Sequence, residues 1–307
     1  MIDYHAHYRA VIARQRKWSL LVSGILLLVF GAATLAKDAP VLAAFGCMII
    51  VAAAALIYEM KTRRYTVRLR LLDSEFPPEW RLYLADRSVY FSGLSKDERR
   101  VFEQRVLFFL AEVRIDGVDT EADDKIKLLV AASAIIPTFA FPYFEYPNLR
   151  TVLVYPDTFN ERFETDAPDP DENHSSGMVG TGYMNYTVLL SRRDLMAAFS
   201  GVKNRKNVGI HEFVHLLDKA DGSIDGVPEI LMDRGSAPAW LELIAKEMKE
   251  IERGRSDFDE YALTDEAEFF AVACEYYFNN PDRFRENHAA LYDAFCAVFR
   301  QSPARGE

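Results

Sequence analysis

The sequence predicts an α+β protein, with a small sheet and a helical C-terminal half, preceded by a two-helix transmembrane hairpin. Three observations lead there. Two long apolar runs stand near the N-terminus. Short β-branched segments alternate with helix-like ones in the middle. From Asn207 onward the apolar spacing is mainly helical.

The first run, Trp18 to Ala36, carries no charged residue, and neither does the second, Ala39 to Tyr58. Only Lys37 and Asp38 separate them, and Pro40 marks a tight connection. Each run has the ~20 residues that a helix needs to cross a bilayer core. Arg9, Arg14, Arg16 and Lys17 flank one side, and Lys61, Arg63, Arg64, Arg68 and Arg70 the other. Basic flanks stay in the cytoplasm, so both termini are expected there, with two passes through the cytoplasmic (inner) membrane. A cleaved signal peptide followed by one anchor is the rival reading, and the long charged lead of residues 1–17 argues against it. A buried soluble hairpin is a further rival, opposed by the uninterrupted apolar length. The basic strip from Lys61 to Arg70 is a topology signal that also suits anionic lipid head groups. The expected divisions are a basic N-terminus (1–17), the hairpin (18–58), a basic juxtamembrane linker (59–70) and a globular domain (71–307).

Leu94 to Val113 has helical apolar spacing behind a Ser95-x-x-Glu98 capping box. Asp123 to Pro137 reads as a helix that the proline ends. Thr151 to Tyr155 and Tyr186 to Leu190 read as strands, and Ser191-x-x-Asp194 opens a helix after the second. Asp166 to Gly182, rich in Asp, Pro, Ser and Gly, reads as a loop. Within it, Gly177-x-x-Gly180-x-Gly182 lacks the order of a dinucleotide fingerprint and the Lys-Ser/Thr of a P-loop, so a flexible turn or sheet-edge segment is expected.

Half of the 307 residues are apolar and 13% are aromatic, enough for a substantial core. Residues 1–70 hold 10 basic and 3 acidic side chains, a net of +7; the remainder holds 26 and 43, a net of −17. An acidic globular part excludes nucleic acid as the expected partner, because phosphate binding needs a positive field. Three cysteines, Cys47, Cys274 and Cys296, make no disulfide framework.

The strongest chemical signal is His211-Glu212-Phe213-Val214-His215. On a helix, positions i and i+4 share a face, so two imidazoles can grip one metal ion while Glu212 takes a proton from an attacking water. Asn207 can cap this helix, and Val208, Ile210, Phe213, Val214 and Leu217 give it apolar sides. A third ligand is needed. No histidine follows at HExxHxxGxxH spacing; His5, His7, His174 and His288 stand elsewhere. A later carboxylate is the alternative. Glu268 stands in a helix-like segment, seven residues before Glu275 and on the same face. Glu268 equally suits N3 of a capping box begun by Asp265, and the spacing alone leaves both roles open. Asp218, three residues after His215, either orients a ligand imidazole through its second nitrogen or is an exposed acid near the helix end.

Asn207-Val-Gly-Ile-His-Glu-Phe-Val-His-Leu-Leu-Asp218 with Asp221-Gly-Ser-Ile-Asp-Gly-Val-Pro228, Glu266-Ala-Glu-Phe-Phe-Ala-Val-Ala-Cys-Glu-Tyr-Tyr-Phe278, and Leu291-Tyr292 through Pro303 together resemble the MtfA (Mlc titration factor A) peptidase family. Weaker similarity reaches back to Phe76-Pro-Pro-Glu-Trp80, so the resemblance spans roughly residues 70–305. The family is similar in its catalytic part to the protease domain of anthrax lethal factor, which implies a zincin-like domain. The resemblance implies one Zn2+ per chain, with Glu268 as the third ligand beside His211 and His215, and Tyr261 beside the metal as an oxyanion donor. Glu275 is then a supporting or packing residue. It further implies a peptide or protein substrate, with small aminopeptidase-type substrates cleaved. A second implied role is binding a cytoplasmic regulatory protein, a transcriptional repressor of sugar uptake. The membrane hairpin departs from the family's best-known soluble members. A purely structural zinc domain is the third reading, and the lack of any CxxC pair argues against it.

Overall fold

Residues 3–35, 40–146, 149–159, 176–180, 187–200 and 206–304 are described by the computed structural model. The chain divides into two units, Met1–Glu75 and Phe76–Glu307. The first is a pair of helices, α1 (Tyr4–Leu35) and α2 (Pro40–Leu72), both long and apolar enough to cross a membrane. Their apolar windows are not buried inside the molecule, and Leu28, Val29 and Val41 are among the exposed side chains. The predicted connection around Lys37 and Asp38 lies outside the described residues.

Each helix runs well past its apolar stretch. The reason is that the polar ends pair with each other. The Tyr8 ring lies 5.8 Å from that of Tyr65, the Arg68 guanidinium sits over Tyr8 at 5.5 Å, and Arg68 Nη1 donates to the Tyr8 hydroxyl at 3.3 Å. Further along, the Ser19 hydroxyl donates to Ala54 O at 3.3 Å, so the two helices stay in antiparallel register. The basic strip from Lys61 to Arg70 is therefore helix.

The second unit opens with α3 (Pro78–Arg87), α4 (Val89–Gly93) and α5 (Lys96–Glu112). Ser95 and Glu98 form the predicted capping box in full. After β1 (Arg114–Gly117), Asp123 caps α6 (Asp124–Thr138) by accepting from Ile126 N. After its charged first turn this helix is apolar on nearly every side, and Leu128 to Thr138 are all buried, as a stretch with no polar face must be. Pro137 falls in its last turn rather than after it, and buried Arg105 donates to Thr138 O and Phe139 O, meeting the carbonyls left free at that end.

The sheet adds β2 (Thr151–Tyr155), β3 (Gly177–Val179) and β4 (Thr187–Ser191), in spatial order β1-β2-β4-β3. The first three of these neighbours are parallel and β3 is antiparallel, giving a mixed sheet with β3 at its edge. Val152 and Val154 of β2 and Val188 and Leu190 of β4 are fully buried, and Thr151↔Thr187 fixes their register. The expected loop is thus partly strand. Residues 177–179 take the sheet-edge place expected of the glycine segment, although three residues are too few to show a period of two and their pairing is set by the register with β4. Of the glycine segment, Gly177 and Gly180 stand at this edge, whereas Gly182 and residues 160–175 lie outside the described residues.

Helices complete the unit: α7 (Arg192–Ala198), capped by Ser191; α8 (Val208–Asp218), capped by Asn207; then α9 (Ala237–Glu252), α10 (Glu266–Asn279), α11 (Pro281–Asn287) and α12 (Ala289–Phe299). Tyr277, Phe284, Phe295 and Phe299 join the last three in an aromatic cluster with ring centroids 5.3–5.9 Å apart. The result is a small mixed sheet with a helical C-terminal half, and α8 is packed between α6 and α10.

Candidate active site

Helix α8 presents His211 and His215 one turn apart. Its start is held twice. Asn207 Oδ1 accepts from Ile210 N at 3.0 Å, and the Asn207 backbone N–H donates to the Glu275 carboxylate of α10. Helix α10 starts from its own cap, where Asp265 Oδ1 accepts from Glu268 N at 2.8 Å. Both roles open for Glu268 therefore meet in one place. Its backbone takes the cap, and its carboxylate faces the two histidines.

The geometry converges on a point. The Nε2 atoms of His211 and His215 are 3.1 Å apart. Glu268 Oε2 lies 3.1 Å from His211 Nε2, and Oε1 lies 3.5 Å from His215 Nε2. One donor atom from each of the three residues falls within 4.8 Å of the others. Buried Glu268 Oε2 accepts no well-angled hydrogen bond among the described residues. Two ligands 2.0–2.1 Å from a tetrahedral ion would be roughly 3.3 Å apart. Two imidazoles and a carboxylate at such spacing, all aimed inward, fit a metal ion.

The electrostatics follow from this crowding. Burial would raise the Glu268 pKa, but hydrogen bonding and charge from His211 and His215 outweigh it and hold the carboxyl well below the usual range. Burial would lower His211, and Glu268 and Glu275 outweigh that, so its pKa is raised. Glu275, two helical turns after Glu268, reaches the other side of the same ring: its Oε1 is 2.8 Å from His211 Nδ1. One face of α10 thus clasps His211 from both nitrogens.

Glu212 is buried, and burial raises its pKa, with His211 and His215 opposing and Glu268 and Glu275 adding to the rise. Tyr261, in the 3-10 turn Glu260–Leu263, is 53% exposed, with its ring centroid 6.3 Å from that of His211. Burial of the hydroxyl and then the charge of Glu268 push its pKa up to about 12. The turn is set by Asp259, whose Oδ1 accepts from Tyr261 N at 3.0 Å and whose Oδ2 meets Lys206 Nζ at 2.9 Å.

Asp218 lies at the end of α8, fully buried, and its side chain turns toward the loop that follows. Oδ2 accepts from Gly226 N at 2.9 Å, and Oδ1 has no partner among the described residues. Burial pushes its pKa up to about 6. Gly226, at φ +75°, sits against the backbone of Glu266, and Trp240 Nε1 donates to its carbonyl at 2.7 Å. Asp218 thereby ties the end of α8 to the start of α10. The imidazole nitrogen that the sequence offered to Asp218 is met at His211 by Glu275, and His215 Nδ1 has no partner among the described residues.

His211, Glu212, His215, Glu268 and Glu275 line a cleft of about 1310 Å³ that runs from Gly177, Met178 and Val179 of β3 to Tyr261 and Arg283; Asp218 lies outside it. Residues 59–300 match the family of glucose-regulated metallo-peptidases M90. The chain belongs to the M90 metallo-peptidase family. As an M90 member it has relatives that it matches over most of their length. An uncharacterized protein of Synechocystis sp. is 30% identical over 243 residues, covering 76% of this chain and 88% of its own. Mlc titration factor A of Salmonella arizonae is 30% identical over 226 residues, 66% of this chain and 85% of its own. Mlc titration factor A of Enterobacter sp. is 27% identical over 225 residues, 69% and 82%. The M90 match begins at residue 59, inside α2, so the apolar runs precede it.

Proposed function

We propose that this chain is a membrane-anchored zinc peptidase in which His211, His215 and Glu268 hold one zinc ion. The convergence of their three donor atoms within 4.8 Å carries the reading. Two imidazoles and a carboxylate suit zinc and leave a position open. When bound, zinc supplies Lewis acidity to an attacking water and to the scissile carbonyl.

The chain's own residues do the rest. Glu212 accepts the proton of the attacking water and later delivers it to the leaving amine nitrogen as the C–N bond breaks. Its raised pKa makes it a stronger base than a solvated carboxylate. Tyr261, protonated at neutral pH, donates a hydrogen bond to the oxygen that gains charge. Glu275 holds the His211 ring through Nδ1, leaving Nε2 to face the ion. The anchor is a two-pass hairpin with both termini in the cytoplasm, and small aminopeptidase-type peptides are the first substrates to assay.

Elemental analysis of the purified chain, beside hydrolysis assays, tests this. One zinc per chain is expected in the wild type and in Glu212→Gln, and none in Glu268→Ala. Hydrolysis is expected to fall by about 10²–10⁴ in Glu212→Gln. Zinc-free, folded wild type would sink the reading.

The name of the Salmonella and Enterobacter relatives favours a second role, the holding of a cytoplasmic regulator by the tethered domain. A biological effect that survives in Glu212→Gln would assign the function to binding rather than hydrolysis.

A further inference from the structure

Glu212 is bounded on the sheet side by the backbone of the edge strand. A Cβ built on Gly177 would stand 2.6 Å from Glu212 Cγ and 2.8 Å from Cδ, with a carboxylate oxygen nearer still. Carbon atoms in ordinary contact are about 3.5–4.0 Å apart. Any other residue at 177 would therefore occupy the volume of the Glu212 carboxylate. The backbone makes no such demand, because Gly177 is not among the glycines with positive φ. Space alone calls for glycine there.

The strand is the fixed partner, so an added Cβ would displace the far end of the Glu212 side chain, which lines the cleft. Strand β3 is pinned to β4 by Gly177↔Leu190, Met178↔Leu189 and Val179↔Val188. Hydrogen bonds from Gly180 N to Thr187 O and from Ser191 N to Ser176 O extend the pairing at both ends. Glu212 is 5% exposed, on a helix packed against α6 and α10.

We infer that Gly177 is a positioning residue for the general base: the edge strand and helix α8 together set where the Glu212 carboxylate points, and Gly177 is the contact through which the strand does so. The kinetic part of this inference rests on Glu212 being the proton acceptor. The packing part does not.

A double-mutant cycle in the full-length, detergent-solubilised chain separates the two. Gly177→Ala is expected to lower the melting temperature by about 4 °C or more in the wild type, and by less than about 1 °C in the Glu212→Ala background, where nothing is left to collide with. Equal drops in both backgrounds would overturn the inference. So would failure of both Gly177→Ala and Gly177→Ala/Glu212→Ala to fold, since the added methyl would then be meeting something else. If the single variant fails to fold and the double variant folds, the contact is supported. In the kinetic arm, Gly177→Ala is expected to keep its zinc and its KM within about twofold while kcat falls about 10²-fold. Full activity in a zinc-loaded Gly177→Ala would also overturn the inference. A wild type without zinc or activity would remove the peptidase reading and leave the thermal cycle to decide the packing.

Discussion

His211 differs from His215 in how its ring is held. Its Nε2 faces His215 and Glu268, and its Nδ1 faces Glu275 at 2.8 Å, whereas His215 Nδ1 is buried without a partner among the described residues. A carboxylate on the far nitrogen fixes the ring's tautomer and raises its basicity. Glu275→Gln is therefore expected to bind zinc at full stoichiometry but about 10–100-fold more weakly, read by competition with a chelator. Unchanged affinity would leave Glu275 as packing alone. The same carboxylate accepts from Asn207 N, so this variant also loosens the cap of α8, and a small fall in melting temperature should accompany the loss of affinity.

At the level of elements, short polar contacts decide how the helices around the cleft meet. Asp218, through Gly226, ties α8 to α10. His288, at the junction of α11 and α12, ties α9 to the segment after it: Nδ1 is 3.0 Å from Glu247 Oε2, and Nε2 is 2.9 Å from Asp257 Oδ1. Asp257 is further held by the Tyr276 hydroxyl, Asn287 Nδ2 and Arg283 Nε. Burial lowers the His288 pKa, but Glu247 and Asp257 outweigh it and raise the value overall. A raised pKa in the folded state means that the imidazolium's contribution is complete below the unfolded value of about 6.5 and is lost as pH rises through the folded value. The melting temperature of His288→Gln should therefore fall further below the wild type at pH 6 than at pH 9. An equal gap at both pH values would mean that the pairing charge contributes nothing.

Across the whole chain, charge and hydropathy are segregated. Residues 1–70 carry a net of +7 and the remainder −17, and α1 and α2 expose apolar side chains such as Leu28, Val29 and Val41. Apolar helices of this length have a lower free energy in lipid than in water. The full chain is expected to sediment with membranes and to resist extraction by high salt and alkaline carbonate. A chain lacking residues 1–75 is expected in the soluble fraction, and reporters fused to either terminus should be active only in the cytoplasm. A terminus that reports from the far side of the membrane would rule out the two-pass hairpin.

What the sequence determined by itself is what depends on neighbours along the chain. The caps at Ser95, Asp123, Ser191, Asn207 and Asp265 are each contacts across three residues, and the structure forms all of them. The shared face of His211 and His215 follows from a helical step, and the apolar runs of α1 and α2 from composition. Tertiary structure decided what crosses between elements. Glu268 and Glu275 share one face of α10, and only the packing of α10 on α8 sends one to Nε2 and the other to Nδ1 of the same ring. Asp218 turned to Gly226 because the chain after α8 folds back beneath it. The glycine segment hinted at a sheet edge, but the register of β3 and the approach of Gly177 to Glu212 have no local signal, since three edge residues gain their register only from β4. Periodicity records which face a residue occupies; the atom it meets there is set by a partner far along the chain.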